Sequence, residues 1–237
     1  MRVLYVSPHP DDECDNAGGT LASLARRHEV FIVYLTDGSA GSPYPEERGK
    51  KLAEVRKSEA LAGLEVLGVN RERAFFFGYP DGNLKSFLWE ASRKLLTLLD
   101  EVRPEVVIYP SVLDAHPDHW SGGYITKSAL RESGLAATEL SYLNWVPEPS
   151  RGLIDLIKYT MILLYPKDKV VKVDVREYKQ VKLEAMRRHA SQFKYLTPDY
   201  IKRFFETDYE TFFIEREPHR GAVSSVFGLT RFVPRTF

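Results

Sequence analysis

The sequence predicts an α/β fold, a doubly wound, mainly parallel sheet of Rossmann-like form with an elaborated C-terminal part. Three observations predict it. Four short segments rich in Val, Ile, Leu and aromatic residues alternate with four segments of helical periodicity. Polar clusters follow three of those four strands directly, as expected where ligands gather beyond the carboxyl ends of a parallel sheet. After Gly134 the alternation lapses and the chain continues in a different rhythm.

Arg2 to Ser7 (RVLYVS) is a buried strand ended by Pro8. Asp12 to Arg27 places Ala17, Leu21, Leu24 and Ala25 at helical spacing, although Gly18 and Gly19 weaken its start. Val30 to Thr36 (VFIVYLT) is the second strand, closed by Asp37-Gly38 and a Gly/Ser/Pro loop from Ser39 to Pro45. Glu46 to Leu67 carries Leu52, Val55, Leu61, Leu64 and Leu67 on one face, a long amphipathic helix stopping before Gly68. Ala74 to Phe77 is a short third strand, with a turn at Tyr79-Pro80-Asp81-Gly82. Phe87 to Val102 is helical up to Pro104, Val106 to Pro110 is the fourth strand, and Trp120 to Glu132 is a further helix. Beyond it, Leu140 to Val146, Tyr159 to Tyr165 and Val170 to Val175 read as strands, some of them antiparallel. Glu177 to Ala190 reads as a helix, and the tail from Ser191 is mixed. Without a repeat or a linker-like stretch, residues 1–237 are expected to form one domain.

Hydrophobic residues make up 43% and charged residues 28% of the 237, with formal net charge +0. A nucleic-acid binder is disfavoured because neutralising phosphates calls for a basic excess. No stretch reaches the roughly 18 uncharged apolar residues of a membrane span, and the apolar run before Pro8 is too short for a signal peptide. The single Cys14 excludes an internal disulfide, and a cytoplasmic protein is expected.

The chemistry sits in Pro8-His9-Pro10-Asp11-Asp12-Glu13, Pro80-Asp81-Gly82 and His116-Pro117-Asp118-His119, each just after a predicted strand. In the common strand order 3-2-1-4 the first and fourth strands are neighbours at the point where strand order reverses, so the two His/Asp clusters would face each other. Catalytic zinc commonly takes three ligands from His, Asp and Glu and keeps one position open. His9, Asp12 and one histidine of the second cluster make such a set, and the other carboxylate of the first cluster is left for proton transfer. Each cluster alone has an ordinary explanation: a hydrogen-bonded histidine at a strand end, Asp118 as a helix cap, acidic residues favouring a helix N-terminus. Two such clusters on adjacent strands are hard to explain that way.

PHPDDE near the N-terminus and HPDH after the fourth strand resemble the signature of the LmbE-like, or PIG-L, family of N-acetylglucosaminyl deacetylases. Thr36-Asp37-Gly38, Arg56-Lys57-Ser58-Glu59-Ala60, Pro80-Asp81-Gly82 and His189-Ala190-Ser191-Gln192 are similar to further elements of that family. The resemblance covers most of the chain and implies an LmbE-type fold. It implies zinc bound by His9, Asp12 and His119, with Asp11 as the general base that activates water at the metal. It implies that His116 stabilises the oxyanion or protonates the departing amine, with Asp118 orienting it, and that Arg56 and Asp81 contact the sugar. The activity implied is removal of an N-acetyl group from an N-acetylglucosamine-type small molecule. The alternative is a zinc amidase acting on a conjugate or a non-sugar amide. The resemblance leaves room for a homo-oligomer. A nucleotide-binding oxidoreductase is disfavoured because the turn after the first strand carries carboxylates in place of glycines. Asp114 stands where some family members carry an aromatic residue, Cys14 reads as a small core residue, and the role of His189 is open.

Overall fold

The computed structural model describes residues 1–219 and 221–227. Strands β1 (Arg2–Ser7), β2 (Glu29–Thr36), β3 (Ala74–Tyr79), β4 (Val106–Pro110) and β5 (Thr138–Tyr142) alternate with helices α1 (Asp12–Ala25), α2 (Lys50–Val66), α3 (Leu88–Val102) and α4 (Pro117–Ser133). After β5 come α5 (Leu153–Leu163), β6 (Val170–Asp174), α6 (Lys179–Arg188), α7 (Ala190–Phe193), α8 (Pro198–Phe205), β7 (Tyr209–Arg216) and α9 (Ala222–Phe227).

All seven strands join one sheet in the order β3-β2-β1-β4-β5-β7-β6. β1 to β5 run parallel, and β7 is antiparallel to both β5 and β6. The predicted order of the first four strands is therefore found. The reversal lies between β1 and β4: the chain winds outward through β2 and β3, then returns to build β4 and β5 on the other side.

β1 is buried on both faces because helices cover both. Val3 and Tyr5 point into the layer packed with α1 and α6, while Leu4 and Val6 point into the layer of α3 and α4. Leu95 and Leu99 of α3 are fully buried in that second layer. Each such side chain contributes about 1.5–3 kcal/mol relative to exposure.

The C-terminal part is fastened to α1 by a buried ion pair. Lys182 of α6 is 1% exposed; its Nζ lies 2.7 Å from Glu210 Oε1 of β7 and donates to the Asp15 carbonyl at 2.8 Å. Glu210 also accepts the N–H groups of Gly19 and Thr20. Every charge here has partners, the condition under which a buried pair is tolerated.

One expected strand is absent. Tyr159 to Tyr165 falls in the second half of α5 and the turn after it. The run LIDLIKYTMILLY is apolar almost throughout and satisfies either periodicity. The sheet position beside β5 is taken by β7, whose YETFFIER alternates exposed and buried side chains. α5 is left on the surface, with Leu153, Ile154 and Leu163 among its exposed side chains. The expected helix from Glu46 begins at Lys50, preceded by a 3-10 turn at Pro45–Glu47. Among the described residues, no helix is long and apolar enough to cross a membrane.

Candidate functional site

Immediately after β1 the chain makes a tight turn held by its own polar groups. Ser7 Oγ donates to the His9 carbonyl at 2.7 Å, the Asp11 N–H donates to the same carbonyl at 3.0 Å, and the His9 N–H donates to Asp12 Oδ2 at 2.8 Å. α1 then starts at Asp12, so its carboxylate lies in the first helical turn, where negative charge is favoured. After β4, Asp114 organises the second half of the site. Fully buried, it accepts the N–H groups of His116 and Asn144 at 2.8 Å and of Trp145 at 3.1 Å.

The two halves meet as the strand order requires. The Asp12 carboxylate stands between two imidazoles, with Oδ2 3.1 Å from His9 Nδ1 and Oδ1 3.2 Å from His119 Nε2. Asn144 Nδ2 donates to the same Oδ1 at 3.1 Å. His9 Nε2 lies 3.2 Å from Asp81 Oδ1 and 3.3 Å from Asp118 Oδ2, and His119 Nδ1 lies 3.4 Å from Asp114 Oδ2. Ring nitrogens of His9, His116 and His119 fall within 4.8 Å of one another. His9, Asp11, Asp12, Arg56, Asp81, His116 and His119 line a single cavity, and the carboxylate of Asp118, 1% exposed, reaches it through His9.

This donor set fits a divalent cation. Among the described residues, Arg56 is the only arginine or lysine lining the cavity with Asp11, Asp12, Asp15 and Asp81. Negative charge is therefore in excess, and the imidazoles respond to it. Burial alone would lower the His9 and His119 values, but Asp12 together with neighbouring carboxylates pulls His9 well above its ordinary range and His119 up to about 9. Protons there meet a demand for positive charge that a metal ion also meets. Burial works against ionisation of Asp12, yet His119 and His9 hold its carboxyl well below the usual range. His116 goes the other way, down to about 4, through burial and the positive charge of His9 and His119.

Asp11 occupies a different environment. Its Oδ1 lies 2.9 Å from Arg56 Nη2, and burial lifts its carboxyl to about 6 against the pull of Arg56. Arg56 itself is 2% exposed. It donates to the Gly38 carbonyl at 2.9 Å and the Pro10 carbonyl at 3.0 Å, and its Nη1 lies 3.7 Å from Asp81 Oδ2. The loop after β2 leaves room for the guanidinium through glycine: a Cβ on Gly41 would stand 2.0 Å from Nη1.

Some contacts differ from the simplest expectation. Arg56 does not pair with Glu59 one turn on; Glu59 accepts the N–H and Oγ–H of Ser191 at 2.8 and 2.6 Å. α4 begins at Pro117, and its cap is His116, whose Nδ1 accepts the Asp118 N–H at 3.2 Å. The Asp118 carboxylate accepts the Gly82 and Leu84 N–H groups at 2.7 and 3.0 Å, which fixes the loop that carries Asp81. Asn144 and the buried role of Asp114 were not foreseen. The available signal for Asn144 was its place just past a strand parallel to β4, at the same carboxyl edge.

Comparison with known proteins identifies the family. Residues 4–130 match the PIG-L family, described as GlcNAc-PI de-N-acetylase. A diacetylchitobiose deacetylase from Thermococcus kodakarensis is 33% identical over 196 residues, 81% of this chain and 70% of that protein. A probable N-acetyl-alpha-D-glucosaminyl L-malate deacetylase 2 from Bacillus anthracis is 30% identical, covering 92% of this chain and 93% of its own. The structure of N,N'-diacetylchitobiose deacetylase from Pyrococcus horikoshii superposes with a TM-score of 0.69 at 24% identity, covering 90% of this chain and 83% of that one, a likeness of fold. By its matched family region, its relatives and its fold, the chain belongs to the PIG-L, or LmbE-like, family of deacetylases.

Proposed function

We propose that this protein hydrolyses the N-acetyl group of an N-acetylglucosamine-type small molecule, using zinc held by His9, Asp12 and His119. The observation that carries the reading is the convergence of two His/Asp clusters, from the ends of adjacent strands, in one acid-rich cavity. The relatives named above act on amino sugars carrying that group. A zinc ion bound there supplies Lewis acidity toward a carbonyl oxygen and toward water.

The chain's own residues do the rest. Arg56 engages Asp11 at Oδ1, which leaves Oδ2 to take a proton from the attacking water. His116, kept neutral by its surroundings, is placed to donate a hydrogen bond to the oxygen on which charge develops. Asp114 holds the loop carrying His116 and places a carboxylate oxygen 3.4 Å from Nδ1 of His119. Asp81 is fixed by the Ala40 N–H at 3.0 Å and lines the cavity, where it accepts hydrogen bonds from sugar hydroxyls.

The test is acetate release from N-acetylglucosamine, diacetylchitobiose, glycoside-linked N-acetylglucosamine and a sugar-free acetamide, with and without chelator. Chelator-sensitive release confined to the sugars is expected. Equal turnover of the simple acetamide would replace the amino-sugar reading with that of a general amidase.

Asp81→Ala is expected to lower kcat/KM for the sugar about 10- to 100-fold, since a buried hydroxyl left without its partner costs about 1–3 kcal/mol. The sugar-free acetamide should change far less. Arg56→Ala should slow both substrates alike, because Arg56 also holds Asp11 and the Pro10 carbonyl. Measuring kcat/KM for both variants on both substrates separates hydroxyl recognition from support of the base.

A further inference from the structure

We propose that His189 and Glu13 form a positioning pair that holds the backbone of Asp11, and so aims the carboxylate that takes the proton. The inference rests on the reading of Asp11 as the proton acceptor. Asp11 has φ 153° and ψ −22°, a conformation that residues with a side chain rarely adopt. Such a residue persists only where its surroundings hold it, so the question is which groups do.

Both ends of the peptide unit joining Pro10 to Asp11 are held. Its carbonyl accepts from Arg56 Nη2 at 3.0 Å. Its N–H is shared between the His9 carbonyl at 3.0 Å and Glu13 Oε2 at 3.1 Å. Arg56 therefore acts on Asp11 twice, through the side chain and through the preceding carbonyl. Glu13 is the side chain that meets the amide from the other end.

Glu13 is fully buried, and a carboxylate in that position needs a donor of its own. His189 Nε2, also fully buried, lies 3.2 Å from Glu13 Oε1. His189 sits at the junction of α6 and α7, and two contacts with α2 set its place. Ser191, two residues on, donates twice to Glu59 of α2. At Gly63 of α2 the backbone comes so near that an added Cβ would stand 2.8 Å from His189 Nε2. The imidazole is thus wedged between α2 and the start of α1, with Nε2 at ion-pair distance from Glu13 Oε1 and neither ring nitrogen in a well-aligned hydrogen bond. A residue from the C-terminal part reaches the catalytic turn without touching the cavity: among the described residues, neither His189 nor Glu13 is in its lining.

The test compares His189→Gln with His189→Asn, both on the metal-loaded enzyme, with metal content and melting temperature measured alongside. The Gln amide is long enough to donate to Glu13; the Asn amide is too short. Expected is a fall in kcat of about 10- to 100-fold for His189→Asn, with KM within about threefold and metal content unchanged, and recovery of most of kcat in His189→Gln. In the Asp11→Asn background, where there is no base left to aim, His189→Asn should cause little further loss. If the Gln and Asn variants lose kcat equally, or if the two losses multiply, His189 supports only the fold and the inference fails while the base assignment stands. If Asp11→Asn alone leaves kcat intact, the base assignment itself fails and the positioning role falls with it.

Discussion

Replacing His119 by alanine is expected to remove bound metal and to lower turnover by roughly 10³ or more. His119 is 1% exposed, and its two ring nitrogens lie 3.2 Å from Asp12 and 3.4 Å from Asp114. Each edge of the ring thus faces a buried carboxylate. His116→Ala is the informative companion. All three imidazoles offer nitrogens within 4.8 Å of one another, so a ligand set of His9, His116 and His119 is the competing arrangement. Retained metal with slowed turnover in His116→Ala supports Asp12 as the third ligand. Elemental analysis after dialysis, read beside activity, decides the matter. Full metal and activity in His119→Ala would show that the site lies elsewhere.

Asp11→Asn should keep the metal and lower kcat by about 10²–10⁴, the range associated with loss of a general base. The substitution keeps shape and leaves an oxygen that can still accept from Arg56 Nη2, now 2.9 Å from Oδ1. What it removes is the ability to take a proton. Single-turnover rates on a poor-leaving-group amide, with metal content measured in parallel, give the answer. Metal loss with unchanged activity per bound metal would mean that Asp11 is a ligand.

Much of this site could be read before any coordinates, because its decisive residues are local in sequence. His9, Asp11 and Asp12 lie in one turn, His116, Asp118 and His119 in another, and periodicity places both after strands. Helical crossovers between parallel strands then leave few ways to order the sheet. The contacts that the sequence does not reveal act over long separations: Glu210 on Gly19 and Thr20, Ser191 on Glu59, Asn144 on Asp12. Their side chains carry no periodic mark, and only the completed packing shows what they touch. α5 was misread for a different reason. Its apolar run fits both repeats, and what decides between them is whether a neighbouring strand edge is free, a property of the whole sheet.

The position of the site between β1 and β4 has a consequence for folding. His9 and Asp118 are 109 positions apart in the chain, and the contact between them exists only once both strands lie side by side. An ion that needs both clusters finds no comparable partner in the unfolded chain, so it binds the native state almost exclusively. Free ion at about 100 times its dissociation constant then adds about 2.7 kcal/mol to stability, a sizeable share of the roughly 5–15 kcal/mol that keeps an ordinary domain folded. On the proposed reading, metal supply and conformational stability become one linked equilibrium, and an ion held by both clusters would also act as a clasp across the middle of the sheet.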